Sequence, residues 1–108
     1  MEPSMYHELV DKLLDVFQDK ALRIVLYGSV ARGTDAADSD IDVAVFVSSG
    51  VDVEMEDRLS EAVVDMNLKY DRVFSVIDID DAVYSQWRDV TPFYQNVDRE
   101  GIVLWAAA

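Results

Sequence analysis

Residues 40–47, Asp-Ile-Asp-Val-Ala-Val-Phe-Val, constrain the fold more than any other stretch of this chain. Ile41, Val43, Val45 and Val47 alternate within a nearly continuous apolar run, the pattern of a buried strand. Two aspartates stand at its mouth. Side chains on a strand alternate between faces, so Asp40 and Asp42 point the same way while Ile41 points to the other. Paired carboxylates repel one another unless a cation sits between them. An oxygen-ligated Mg2+ bridged to substrate phosphates would relieve that repulsion.

The preceding segment supplies a matching half. Arg23 to Tyr27 is a short β-rich run that ends at Gly28, and the polar residues from Gly28 to Ser39 read as a turn or loop with one helical turn. Gly28 lets the backbone turn sharply and approach a ligand. The Ser29 amide and hydroxyl can donate to phosphate oxygens, and Arg32 is a cation within reach of the same loop. Arg32 could equally pair with Asp35 or Asp38 at the surface. A calcium loop over Asp38-Ser39-Asp40-Ile41-Asp42 is a rival reading, and it fails: Val43 holds the place of the required glycine and Ser49 that of the closing glutamate.

The rest of the chain places these segments in an α/β (α+β) fold. Leu9, Val10, Leu13, Leu14, Val16 and Phe17 recur at helical spacing, which predicts an amphipathic helix over roughly 4–19. Met55, Leu59, Ala62, Val63, Met66 and Leu68 predict a second over 53–69. Arg72 to Ile79 predicts a third strand, followed by a helix from Asp80 to about Trp87. Pro92 opens a further helix, Gly101 caps its end, and Ile102 to Trp105 is a last strand. The expected architecture is a small mixed sheet of about four strands with helices packed on it. Strands one and two run antiparallel, and strands two and three are joined by a right-handed parallel crossover. Asp80 and Asp81 read as caps of the helix they open.

At 108 residues, 51% of them hydrophobic, the sequence is expected to form one domain spanning 1–108. It carries 22 acidic against 9 basic residues, a formal net charge of -13, and such a surface repels a phosphate backbone. Direct nucleic-acid binding is therefore not expected. The acids are mostly aspartate and lysines are few, a composition that suits solvation at high salt and raises a halophilic source as a hypothesis. An ordinary acidic protein with a basic partner is the plainer account. Cysteine is absent, which fits a reducing compartment. Met1-Glu2-Pro3-Ser4 does not read as a signal peptide, and the longest apolar stretch is far below membrane-spanning length. A cytoplasmic location with no membrane contact is expected.

Gly28-Ser29, a spacer, and Asp40-Ile41-Asp42 opening an apolar strand together resemble the signature of the nucleotidyltransferase superfamily that includes DNA polymerase beta. With Ala31-Arg32-Gly33 and Asp38-Ser39-Asp40 the chain is similar to the minimal nucleotidyltransferases of prokaryotes, which commonly partner a helical HEPN protein in toxin–antitoxin pairs. The resemblance implies Mg2+-dependent transfer of a nucleotide, AMP from ATP, onto a hydroxyl of a HEPN partner. It assigns Asp40 and Asp42 to catalysis and metal binding, and Gly28, Ser29 and Arg32 to the nucleotide.

Superfamily members usually add a third carboxylate from a neighbouring strand. Asp78, between Ile77 and Ile79, matches the expected pattern, whereas a parallel crossover favours Asp71 near the start of strand three. The two lie about 23 Å apart along an extended chain, so at most one reaches the pair. A third outcome is that neither does, with Phe74, Ser75 or Val76 in that place. In that case the alternative function is a nucleotidyltransferase-fold binding module that neutralises its partner by complex formation alone. Transfer to a small molecule fits less well, because such enzymes usually carry a second domain to hold the acceptor. Trp87, Phe93, Tyr94, Val97, Ile102, Leu104 and Trp105 form an aromatic-rich end that either contacts a partner or covers the sheet.

Overall fold

The strand that opens at the aspartates lies inside the sheet and is buried from both sides, which dictates the layering. In a computed structural model describing residues 3–33 and 40–108, the elements run α1 (Pro3–Phe17), a 3-10 turn, β1 (Ala21–Tyr27), α2 (Gly28–Arg32), β2 (Ile41–Val47), α3 (Val53–Tyr70), β3 (Phe74–Asp80), α4 (Asp81–Trp87), α5 (Pro92–Glu100) and β4 (Ile102–Ala106). They form a four-stranded mixed sheet in the order β3-β2-β1-β4. β1 is antiparallel to β2, and β2 is parallel to β3 across the α3 crossover, as the sequence pattern predicts, while β4 pairs antiparallel with the other edge of β1.

Strand alternation divides the core between two layers. Ile41, Val43, Val45 and Val47 of β2 pack with Ile24 and Leu26 of β1 under Leu9, Leu13 and Phe17 of α1 and Leu59 and Met66 of α3. On the opposite face Val25, Ala44, Phe46 and Ile79 meet Tyr84 of α4 and Val97 of α5. Asp42 shares this second face with Ala44 and Phe46 by pleat position. A central strand covered on both sides needs apolar residues at both parities, and Asp42 is the one break in β2.

Local chemistry sets the boundaries. The Asp52 carboxylate accepts from the Met55 amide at 2.8 Å to cap α3, and Asp80 accepts from the Ala82 and Val83 amides at 2.9 and 3.3 Å to cap α4, the structural role expected of it. β3 begins two residues later than the apolar pattern suggests. Asp71 ends α3 in a left-handed conformation at φ 53°, and the Asn67 side chain accepts from the Phe74 amide at 2.8 Å, so 72–73 serve as the connection. Gly101 closes α5 in extended rather than left-handed geometry, its amide donating to Val97 O at 2.8 Å. A Cβ there would overlap Val97 O and Val25 Cγ1, so glycine lets the end of α5 press onto β1. Among the described residues no helix is long and apolar enough to cross a membrane.

Candidate active site

β1 ends and β2 begins at the same edge of the sheet, and the pairing Tyr27↔Asp42 brings the glycine turn beside the aspartates. Gly28 adopts φ +77°, a left-handed conformation open to glycine and strained for side-chain-bearing residues. It also approaches Asp42 closely: a Cβ at position 28 would overlap Oδ2 and lie 3.3 Å from Cγ. Both requirements fall on one residue. From Gly28 the chain winds directly into the single turn α2, which carries Ser29 and Arg32.

The electrostatics follow the layout. Asp42 is half-buried, and this burial, reinforced by the charge of Asp40, pushes its carboxyl above the usual aspartate range, while the Arg32 guanidinium pulls it back. Asp40 itself is exposed at the edge. The Tyr27 phenol is pushed up as well, first by burial and then by Asp42. Four of the five expected site residues are thereby tied together: Gly28 to Asp42 by contact, and Asp40 and Arg32 to Asp42 by charge. Ser29 adjoins Gly28 in the chain and opens α2 with it.

Arg32 has a partner that sequence reasoning did not supply. Its Nη1 lies 2.9 Å from Glu100 Oε2 at the end of α5, and 45% of the Arg32 side chain remains exposed. Asp35 and Asp38, the partners considered from sequence, lie outside the described residues, as do the other residues of 34–39.

Neither candidate third carboxylate stands beside the pair. The parallel register sets Ser75 opposite Asp42 and Asp78 opposite Val45. Asp78 belongs to the α1–α3 face of the sheet, where it hydrogen-bonds Glu56 of α3 and, with burial, pushes the Glu56 carboxyl up. The apolar–acid–apolar pattern around Asp78 therefore marks the wrong side of the sheet. Asp71 serves as the exposed left-handed end of α3. Of the three outcomes anticipated, the structure gives the last, with Ser75 in the strand position next to Asp42. Among the described residues no three His, Cys, Asp or Glu side chains converge on a common point.

Comparison with known proteins places this geometry in a family. A 62-residue segment is 32% identical to a Methanocaldococcus jannaschii protein named "Putative protein adenylyltransferase", covering 57% of this chain and 63% of that one. The chain thus matches less than two thirds of that relative's length. A toxin–antitoxin structure with AMP-PNP shares the fold at TM-score 0.65 and 24% identity, over 99% of this chain and 75% of the other. A Shewanella oneidensis structure, a tri-AMPylated HEPN toxin in complex with its MNT antitoxin, does so at TM-score 0.65 and 21% identity, over 99% and 74%. The family described as Polymerase beta, Nucleotidyltransferase matches residues 11–107, nearly the whole fold with both halves of the edge site, and the chain belongs to it.

Proposed function

We propose that this chain transfers AMP from ATP, with Mg2+, onto a hydroxyl of a partner protein of the HEPN class, and so acts as the antitoxin of a toxin–antitoxin pair. The observation that carries this reading is the closure of Gly28 onto Asp42, which puts a phosphate-approaching backbone turn against a carboxylate pair. The protein adenylyltransferase name of the archaeal relative, and the AMP-PNP and AMPylated-toxin assemblies that share the fold, support the choice of nucleotide and acceptor.

The donor set suits the metal. Asp40 and Asp42 offer carboxylate oxygens, and burial together with the Asp40 charge raises the Asp42 carboxyl, a cost that a bound cation would relieve. Mg2+ held there would neutralise charge on the triphosphate and the leaving pyrophosphate. The chain's own residues do the positioning: the Gly28–Ser29 turn cradles phosphate oxygens, and Arg32 faces the same anion. The acceptor oxygen bonds to the α-phosphorus, the bond from that phosphorus to the β-phosphate bridge oxygen breaks, pyrophosphate leaves, and the acceptor proton passes to water at the exposed Asp40 edge.

A second reading is favoured by Ser75, which occupies the strand position beside Asp42 and brings no charge. On that reading the chain binds nucleotide and partner but transfers slowly or not at all. Intact-mass spectrometry of the HEPN-type partner after incubation with the chain, Mg2+ and ATP separates the two. The first reading expects a gain of one or more AMP units that disappears with Asp40→Asn plus Asp42→Asn. A stable complex with no mass gain would replace it with the second.

A further inference from the structure

Helix α5 has no motif in sequence, yet its inner face reaches both Tyr27, before the glycine turn, and Arg32, after it. Phe93, Val97 and Glu100 recur at i, i+4 and i+7, so they lie on one stripe. Val97 is buried against the sheet with Val25. Glu100 holds Arg32 at one end of the stripe, and at the other the Phe93 and Tyr27 rings meet in a T-shaped contact, centroids 5.5 Å apart at 87°. Two helical turns, roughly 10 Å of axis, separate the ends. That span is of the order of a nucleotide laid from its terminal phosphate to its base.

Phe93 is also anchored from behind. Rings run in contact from Phe46 in the core to Tyr84, from Tyr84 to Tyr94 and from Tyr94 to Phe93, with centroid separations of 4.8, 5.5 and 5.8 Å. The series ends at a ring 39% exposed, beside the residue that pairs with Asp42. A large aromatic packed against other rings and still 39% exposed, beside the Gly28 turn, offers what a flat heterocycle needs.

We infer that Phe93 is the base-stacking wall of the site: it receives the purine of a nucleoside triphosphate whose phosphates lie along Gly28, Ser29 and Arg32. The inference rests on the nucleotide site proposed above and adds the subsite that recognises the nucleoside. Phosphates bind at the Arg32 end of α5, the base at the Phe93 end.

The test separates base from phosphate. Isothermal titration in Mg2+ compares α,β-methylene ATP with inorganic tripolyphosphate on wild type, Phe93→Leu and Phe93→Tyr, each checked by thermal melt for folding. Phe93→Leu keeps an apolar side chain on Tyr27 but removes the ring; it is expected to weaken the nucleotide about tenfold and leave tripolyphosphate unchanged. Phe93→Tyr is expected to bind both as wild type does. Equal loss for both ligands, or no loss for either, overturns the inference. So does unchanged nucleotide binding with impaired transfer to the partner, which would assign Phe93 to acceptor docking. If wild type binds neither ligand, the nucleotide site itself fails, and the base wall with it.

Discussion

Gly28 and Asp42 occupy space that cannot hold one more carbon: a Cβ at position 28 would overlap the carboxylate across the β1–β2 edge. Gly28→Ala therefore meets two penalties, a left-handed φ of +77° and a displaced Asp42. Destabilisation of about 1–2 kcal/mol is expected by urea unfolding. Loss of AMP transfer should exceed what that modest instability explains, because the fold survives while the aspartate moves. Full activity in the alanine variant would detach the turn from the site.

Asp42 sets an opposite sign for stability and function. Burial and Asp40 raise its carboxyl in the folded state, so its contribution to stability is present below the ordinary carboxylate range and is lost as pH rises through the raised value. At neutral pH the ionised group is a net cost. Asp42→Asn is expected to melt a few degrees higher than wild type at pH 7, a gain that vanishes in acid, while abolishing Mg2+-dependent nucleotide binding. Thermal melts from pH 3 to 8, with titration calorimetry at pH 7, read both effects. A variant less stable at pH 7 would contradict the assignment of Asp42 as a strained functional group.

Arg32 acts on the same carboxyl with the opposite sign. Removing its charge in Arg32→Ala lets the Asp42 carboxyl rise further, so the pH midpoint of Mg2+-dependent nucleotide binding should move upward. Affinity for tripolyphosphate at pH 7 should also fall, by about tenfold for one lost charge-assisted contact. Calorimetric titrations at several pH values check both. An unchanged midpoint with unchanged affinity would leave Arg32 only its structural pair with Glu100.

The fold was legible because its signals are local. The β2 alternation, the 3.6-residue stripes of α1 and α3, and the Asp80 cap each act within a few residues, and all recur in the structure. That the glycine turn and the aspartates share one edge was also legible, since β1 runs toward the turn and β2 runs away from the aspartates. What escaped depends on register and on distant packing. Asp78 matches the third-carboxylate pattern in sequence, as one of the alternatives left open there, because an acid between two isoleucines looks the same whichever face it occupies. Only the pairing of Asp78 with Val45, and the proximity of Glu56, fixes the side. Glu100 and Phe93 reach the site through a helix some sixty residues further along, and nothing but their i, i+7 spacing marked them as sharing a face.

The Glu56–Asp78 pair makes a prediction independent of the active site. Its hydrogen bond is the main reason the Glu56 carboxyl is raised, ahead of burial and the Asp78 charge, so the pair is held together by a proton. A raised acid contributes stability that is present below its unfolded value and disappears as pH climbs through its folded one. Glu56→Gln keeps a donor facing Asp78 and removes one of the charges. It should raise the melting temperature by a few degrees at pH 7, a screened interaction at an exposed position, and give no gain near pH 3. Because Asp78 lies across the sheet from Asp42, nucleotide affinity and AMP transfer should be those of wild type. A change in either would mean that the α3 face communicates with the site, against the separation that the sheet imposes.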